Sequence, residues 1–96
     1  MKTKTVTINV TQRDIDKGCR GHGGNCPIAL AIFRRLSKGV VSVGWERTRF
    51  ELPKGLLIFS ENPKTARQFV EEFDACNPVS PFRFDIDIPV SMLRAR

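Results

Sequence analysis

Apolar and polar positions change period along this chain, and the changes outline its elements. Residues 3 to 10 alternate: Val6, Ile8 and Val10 fall on one side, Thr5, Thr7 and Asn9 on the other. A period of two in β-branched residues marks a half-buried strand. Thr11, with Asp14 three residues on, starts a short helical turn through Ile15 and Lys17 that Gly18 stops. From 19 to 26 the chain is glycine-dense and polar, hence a loop. Pro27 then takes the first helical position, followed by Ile28, Ala29, Leu30, Ala31, Ile32, Phe33 and Leu36. Apolar residues cover most of this helix, so it is expected to press firmly onto a sheet. Arg34, Arg35 and Lys38 in its last turn oppose the negative end of the helix dipole, and Gly39 ends it.

Residues 40 to 43 predict a short buried strand, and 45 to 52 another. In the second, Glu46, Thr48, Phe50 and Leu52 share one face and Trp45, Arg47, Arg49 and Glu51 the other. Pro53, Lys54 and Gly55 supply turn chemistry and residues 56 to 59 a further apolar strand, so 45 to 59 is a candidate hairpin. Asn62 and Pro63 are a cap and first-position pair for a second helix, in which Ala66, Phe69, Val70 and Phe73 recur at helical spacing. Asn77, Pro78 and Pro81 break it. Phe82, Phe84, Ile86 and Ile88 then alternate with Arg83, Asp85 and Asp87 in a last strand. The order β-α-β-β-β-α-β predicts one α+β domain over residues 1 to 96, a two-layer sandwich with two helices on one face of a mainly antiparallel or mixed sheet. Phe33, Phe69, Phe73 and Phe84 are its expected core aromatics.

Composition changes this picture little. Ninety-six residues, 41% hydrophobic and 27% charged, suit one packed domain and are too apolar for a disordered chain. No apolar run approaches the ~20 residues that cross a bilayer, and the start lacks the apolar segment of a secretory signal. A soluble, unexported protein is expected. The charge is more informative: 16 Lys and Arg against 10 Asp and Glu give +6, and the excess lies in the first half, where residues 1 to 49 hold ten basic and three acidic side chains. That balance favours an anionic partner, and it also serves plain solubility.

Three chemistries can be built on the loop. Cys19, His22 and Cys26 can supply three zinc ligands with Cys76 as a fourth, although no close ligand pair of the usual spacing is present. Otherwise Cys26 caps the helix, Cys76 is core, and Cys19 and His22 are exposed. A thiol at a helix start has a lowered pKa, so Cys26 with His22 is a candidate nucleophile pair, without a residue to orient the imidazole. Gly21 to Cys26 beside Arg20 could cradle an anion, but they match no phosphate-binding fingerprint. No catalytic residues are assigned, and no cofactor beyond the zinc alternative.

For nucleic acid, the candidate surface is the sheet face opposite the helices, carrying Arg47, Arg49 and Arg83, with Trp45 and the Thr5, Thr7 and Asn9 row; Arg20, Arg34 and Arg35 extend the basic set. Asp85 and Asp87 on that face would repel phosphate. The same half-open sheet, with an edge strand, can instead pair with a protein partner or a second copy.

Residues 25 to 31 (Asn-Cys-Pro-Ile-Ala-Leu-Ala), with Val41-Ser42-Val43-Gly44, residues 69 to 74 (Phe-Val-Glu-Glu-Phe-Asp) and residues 78 to 82 (Pro-Val-Ser-Pro-Phe), resemble a loose group of small uncharacterised proteins encoded by bacteriophages and prophages. The resemblance spans about residues 5 to 88 and carries no catalytic or ligand residues. It implies a small accessory protein that binds a host or phage macromolecule in the cytoplasm of a bacterial host. The expected function is therefore a non-enzymatic protein-binding module, with nucleic-acid binding and a zinc-stabilised module as alternatives.

Overall fold

The structure, a computed structural model, describes residues 2–94. Strand β1 (Thr3–Val10) pairs antiparallel with β5 (Phe82–Pro89) along its whole length, from Thr3 opposite Pro89 to Val10 opposite Phe82. The two alternations coincide: Val6, Ile8 and Val10 lie opposite Ile86, Phe84 and Phe82 on the core side. On the outer side the hydroxyls of Thr5 and Thr7 donate to Asp87 and Asp85, each at 2.6 Å. Strands β2 (Val40–Val43), β3 (Arg47–Glu51) and β4 (Leu57–Glu61) form a separate antiparallel meander.

The fold is α+β as expected, but with two sheets in place of one. Where the two sheets meet, the buried Ser60 hydroxyl of β4 donates to the Asp87 carbonyl of β5 at 2.6 Å. Thr48 and Phe50, Val41 and Val43, and Ser60 point inward from the three-stranded sheet.

Three helices cover the sheets. The first, α1 (Gln12–Lys17), opens on a reciprocal capping box between Thr11 and Asp14. Gly18 follows it in extended conformation; a Cβ there would lie 2.4 Å from the Pro27 ring, so glycine is required for space rather than for turning. Helix α2 (Pro27–Phe33) is shorter than the pattern predicts, and Leu36 instead bridges to Leu93. Its buried side is Ile28, Ala29, Ala31 and Ile32, which leaves Phe33 on the outer side, 57% exposed, and removes it from the expected core. Phe50, wholly buried, is the aromatic at the centre instead.

Helix α3 (Lys64–Asp74) buries Ala66, Phe69 and Phe73, and Phe69 stacks on Phe82 at 4.8 Å. Its cap position is Pro63, one residue later than predicted, and Asn62 does not cap it. Buried Asn62 accepts from the Thr48 hydroxyl at 2.7 Å and donates to the carbonyls of Gly44 at 2.7 Å and Trp45 at 3.2 Å. It thereby ties the β2–β3 turn to the start of α3. A 3-10 turn (Val90–Met92) follows β5, with Met92 buried against Gly39.

Candidate functional site

The four zinc-candidate residues are not gathered: among the described residues no group of three His, Cys, Asp or Glu side chains is placed to hold a metal ion. Cys19 and Cys76 are exposed free thiols, and Cys76 sits at φ 64 just past α3 rather than in the core. The Cys26 sulfur accepts from the Ala29 N–H at 3.4 Å as the cap of α2. Burial pushes its thiol pKa up, against the helix-end hydrogen bonds that would lower it. His22 and Cys26 do line one cleft of about 290 Å³ between the glycine loop, the Val43–Trp45 turn and α3, floored by Ile28, Phe69 and Phe73.

The basic residues are carried by different elements, and three of them are bonded within the fold. Arg34 is bonded to the Asp14 carboxylate and donates to the Asn9 carbonyl at 3.0 Å; Arg35 donates to the Thr7 carbonyl at 3.0 Å. Both guanidinia therefore occupy backbone acceptors of β1, where an edge strand would otherwise offer them to another chain. Arg20 donates to the Phe73 carbonyl at 3.0 Å and lies over that ring, closing the loop onto α3. These three arginines tie the fold together. Arg83 lies opposite Asn9 on the two-stranded sheet, next to the Asp85 and Asp87 rows. Arg47 and Arg49 belong to the other sheet, and Trp45 lies at the turn before β3 rather than in the Thr5, Thr7 and Asn9 row.

What the three-stranded sheet presents outward is different in kind. Register places Arg49 between Ser42 and Phe59, Glu51 between Val40 and Leu57, and Arg47 opposite Glu61. Directly opposed residues of an antiparallel sheet share a face, and β3 turns its other side, Thr48 and Phe50, to the core. The outer face therefore carries Val40 and Phe59, each 55% exposed, Leu57 at 42%, and two arginines and two glutamates. The Arg47 guanidinium lies 5.9 Å from the Phe59 ring centroid.

Trp45 extends this face at the turn, sharing a shallow depression with Arg47, Arg49 and Phe59. The indole is 45% exposed yet fixed: its N–H donates to Glu71 at 2.9 Å and Arg67 stacks on it at 5.3 Å. Leu56, in the tight turn before β4, is exposed beside it in sequence. Arg47, Arg49 and Trp45 were visible as candidates in the sequence; Val40, Leu57, Phe59 and the pinning pair Glu71 and Arg67 were not. Pairing the two arms of the hairpin across the Pro53–Gly55 turn would have set Phe59 beside Arg49.

Among the described residues no helix is long and apolar enough to cross a membrane. Comparison of the chain with protein-family models, with curated proteins and with solved structures gave no match. Its chemistry is therefore read from its own surface.

Proposed function

We propose that this chain is a non-enzymatic binding module that recognises a protein through the outer face of β2, β3 and β4. The observation that carries this reading is the concentration of exposed Val40, Leu57 and Phe59 on one sheet face, interleaved with Arg47 and Arg49 and extended by a pinned Trp45. Aromatic residues and arginine are the types enriched at protein interfaces, and a rigid tryptophan loses little entropy on docking. Single exposed apolar residues are ordinary; several in one register are not. The resemblance to small phage-encoded proteins accords with an accessory binder in a bacterial cytoplasm.

Nucleic acid is the second reading, favoured by Arg47 near the Phe59 ring and Arg49 paired opposite it, since cations beside an aromatic are what a stacking platform requires. Glu51 and Glu61 in the neighbouring rows cancel that charge locally. Among the described residues the ligands of the zinc-stabilised alternative are not gathered.

The test is site-specific photocrosslinking in cells from position Arg49 and, as a control, from position Arg83, with mass spectrometric identification. A protein captured from Arg49 and not from Arg83 is the expected result. Crosslinks of equal yield from both positions, or capture of nucleic acid with an affinity that falls steeply between low and moderate salt, overturn the protein-binding reading.

A further inference from the structure

The outer sheet face carries two positive and two negative side chains, Arg47 and Arg49 against Glu51 and Glu61, on a chain whose formal charge is +6. The chain's cationic excess therefore lies elsewhere, and two copies can bring this face together without the repulsion their net charge would otherwise impose. From this self-complementarity we propose that the face docks on a second copy of the same chain, forming a two-fold, face-to-face dimer. The inference rests on the reading of this face as a docking surface and names the partner it is built for.

The order of the rows specifies the arrangement. Arg47 and Glu61 lie at one end of the face, Val40, Glu51 and Leu57 at the other, and Ser42, Arg49 and Phe59 in the middle. A two-fold axis in the plane of the interface and across the strands keeps β3 over β3 and reverses the rows. Arg47 then meets the second copy's Glu51, and Glu51 meets the second copy's Arg47. The two Phe59 rings meet on the axis, and Glu61 of each copy, paired with its own Arg67 at 3.4 Å, comes over the other's Leu57. Like charges coincide only at Arg49, whose long side chain can swing toward the second copy's Glu51 in the next row, about 7 Å along the strand.

The alternative axis, along the strands, would stack Glu51 on Glu51 and Arg49 on Arg49 while pairing neither, and is disfavoured. Edge-to-edge pairing through β1 is disfavoured too, since Arg34 and Arg35 already occupy its Asn9 and Thr7 carbonyls. On β2, the Val43 N–H is taken by the Gly23 carbonyl at 2.9 Å.

The size of the face sets the strength. Three strands about 4.8 Å apart and five residues at about 3.4 Å each cover a few hundred Å². That is below the ~800 Å² per partner of a standard interface, so the dimer belongs to the weak, concentration-dependent class.

Sedimentation equilibrium of the full chain, over about 10 µM to 1 mM, reads this directly. Wild type should pass from monomer toward dimer across that range. Arg47→Glu and Glu51→Arg should each weaken association by about tenfold or more, because each places like charges together twice. The double variant Arg47→Glu/Glu51→Arg should recover it, as should an equimolar mixture of the two single variants, in which both contacts become opposite in sign. Recovery cannot arise inside one chain, where four strand residues separate positions 47 and 51 by about 13 Å. All sites are on the surface, and a far-UV circular dichroism melt of each variant verifies its fold. A wild-type monomer at 1 mM overturns the proposal, as does a double variant or mixture no stronger than the singles. Crosslinking of a different protein from Arg49 with a monomeric wild type would leave the docking surface standing and the second copy excluded.

Discussion

Asn62 is the residue on which the presentation of the binding face most depends, and its removal has a cost that can be worked from its bonds. Asn62→Ala deletes the acceptor of the Thr48 hydroxyl and the donor to the Gly44 and Trp45 carbonyls. The two 2.7 Å bonds are worth about 1 kcal/mol each in net terms, and the orphaned hydroxyl of Thr48, with no exposed surface, adds about 1–3 kcal/mol. Allowing for relaxation of the turn carbonyls toward water, the loss is about 2–4 kcal/mol. For a domain of this size that lowers Tm by on the order of 10–25 °C.

Urea unfolding followed both by circular dichroism and by the fluorescence of Trp45, the single tryptophan, measures the loss, and coincidence of the two signals licenses a two-state fit. The decisive arm is a cycle with Thr48→Val. In the wild-type background that change should cost about 1 kcal/mol; after Asn62→Ala it should stabilise, because it removes an unpaired hydroxyl. A loss below about 0.5 kcal/mol for Asn62→Ala, or the same sign for Thr48→Val in both backgrounds, would mean that these bonds do not hold the turn.

Three further outcomes are expected. Burial raises the Asp14 carboxyl pKa, but hydrogen bonds from Arg34 and from the Thr11 backbone and side chain outweigh it and hold it below its ordinary value near 3.8. A carboxyl lowered in the folded state contributes stability that is complete above the unfolded pKa and fades as pH falls through the folded one. The gap in urea midpoint between wild type and Asp14→Asn should therefore be constant above about pH 5 and shrink below about pH 4; a gap unchanged down to pH 2 contradicts this. Gly39 and Gly55 both have positive φ, but only at Gly39 would a Cβ collide, 2.5 Å from Met92 and 2.6 Å from the Glu51 carbonyl. Gly55→Ala should cost about 1 kcal/mol and Gly39→Ala roughly 3 kcal/mol or more in thermal melts; equal losses would mean that strain alone governs both. Melts of protein purified without chelator, before and after chelation, should superimpose; a drop in Tm would return the Cys19 loop to consideration as a metal site.

How far the sequence discloses this structure depends on whether a segment has two unlike sides. Strands β1 and β5 alternate cleanly, and α3 repeats at i, i+3 and i+4, so their buried faces are legible from pattern alone. Residues 27 to 33 are apolar all round, and nothing local says that Ala29 and Ala31 face the core while Phe33 faces out. The run Leu56-Leu57-Ile58-Phe59 conceals its alternation in the same way: Leu57 and Phe59 are exposed, and only pairing with β3 assigns them to the outer face. The contact between the two sheets includes the Ser60 hydroxyl meeting a carbonyl 27 residues away, for which no sequence signature exists. Of the site, Arg47, Arg49 and Trp45 were legible because charge and aromaticity stand out anywhere. Arg34 and Arg35 looked like partner contacts until the structure showed them bonded to β1.

Whether the outer face of β2, β3 and β4 is the recognition surface is decided by the affinity of the protein captured at Arg49 for two variants of the purified chain. Phe59→Ser should weaken binding about tenfold or more, as loss of a central aromatic anchor does, whereas Arg83→Ala on the other sheet should leave it unchanged. Full affinity in Phe59→Ser together with a loss in Arg83→Ala would place the docking surface on β1 and β5 instead.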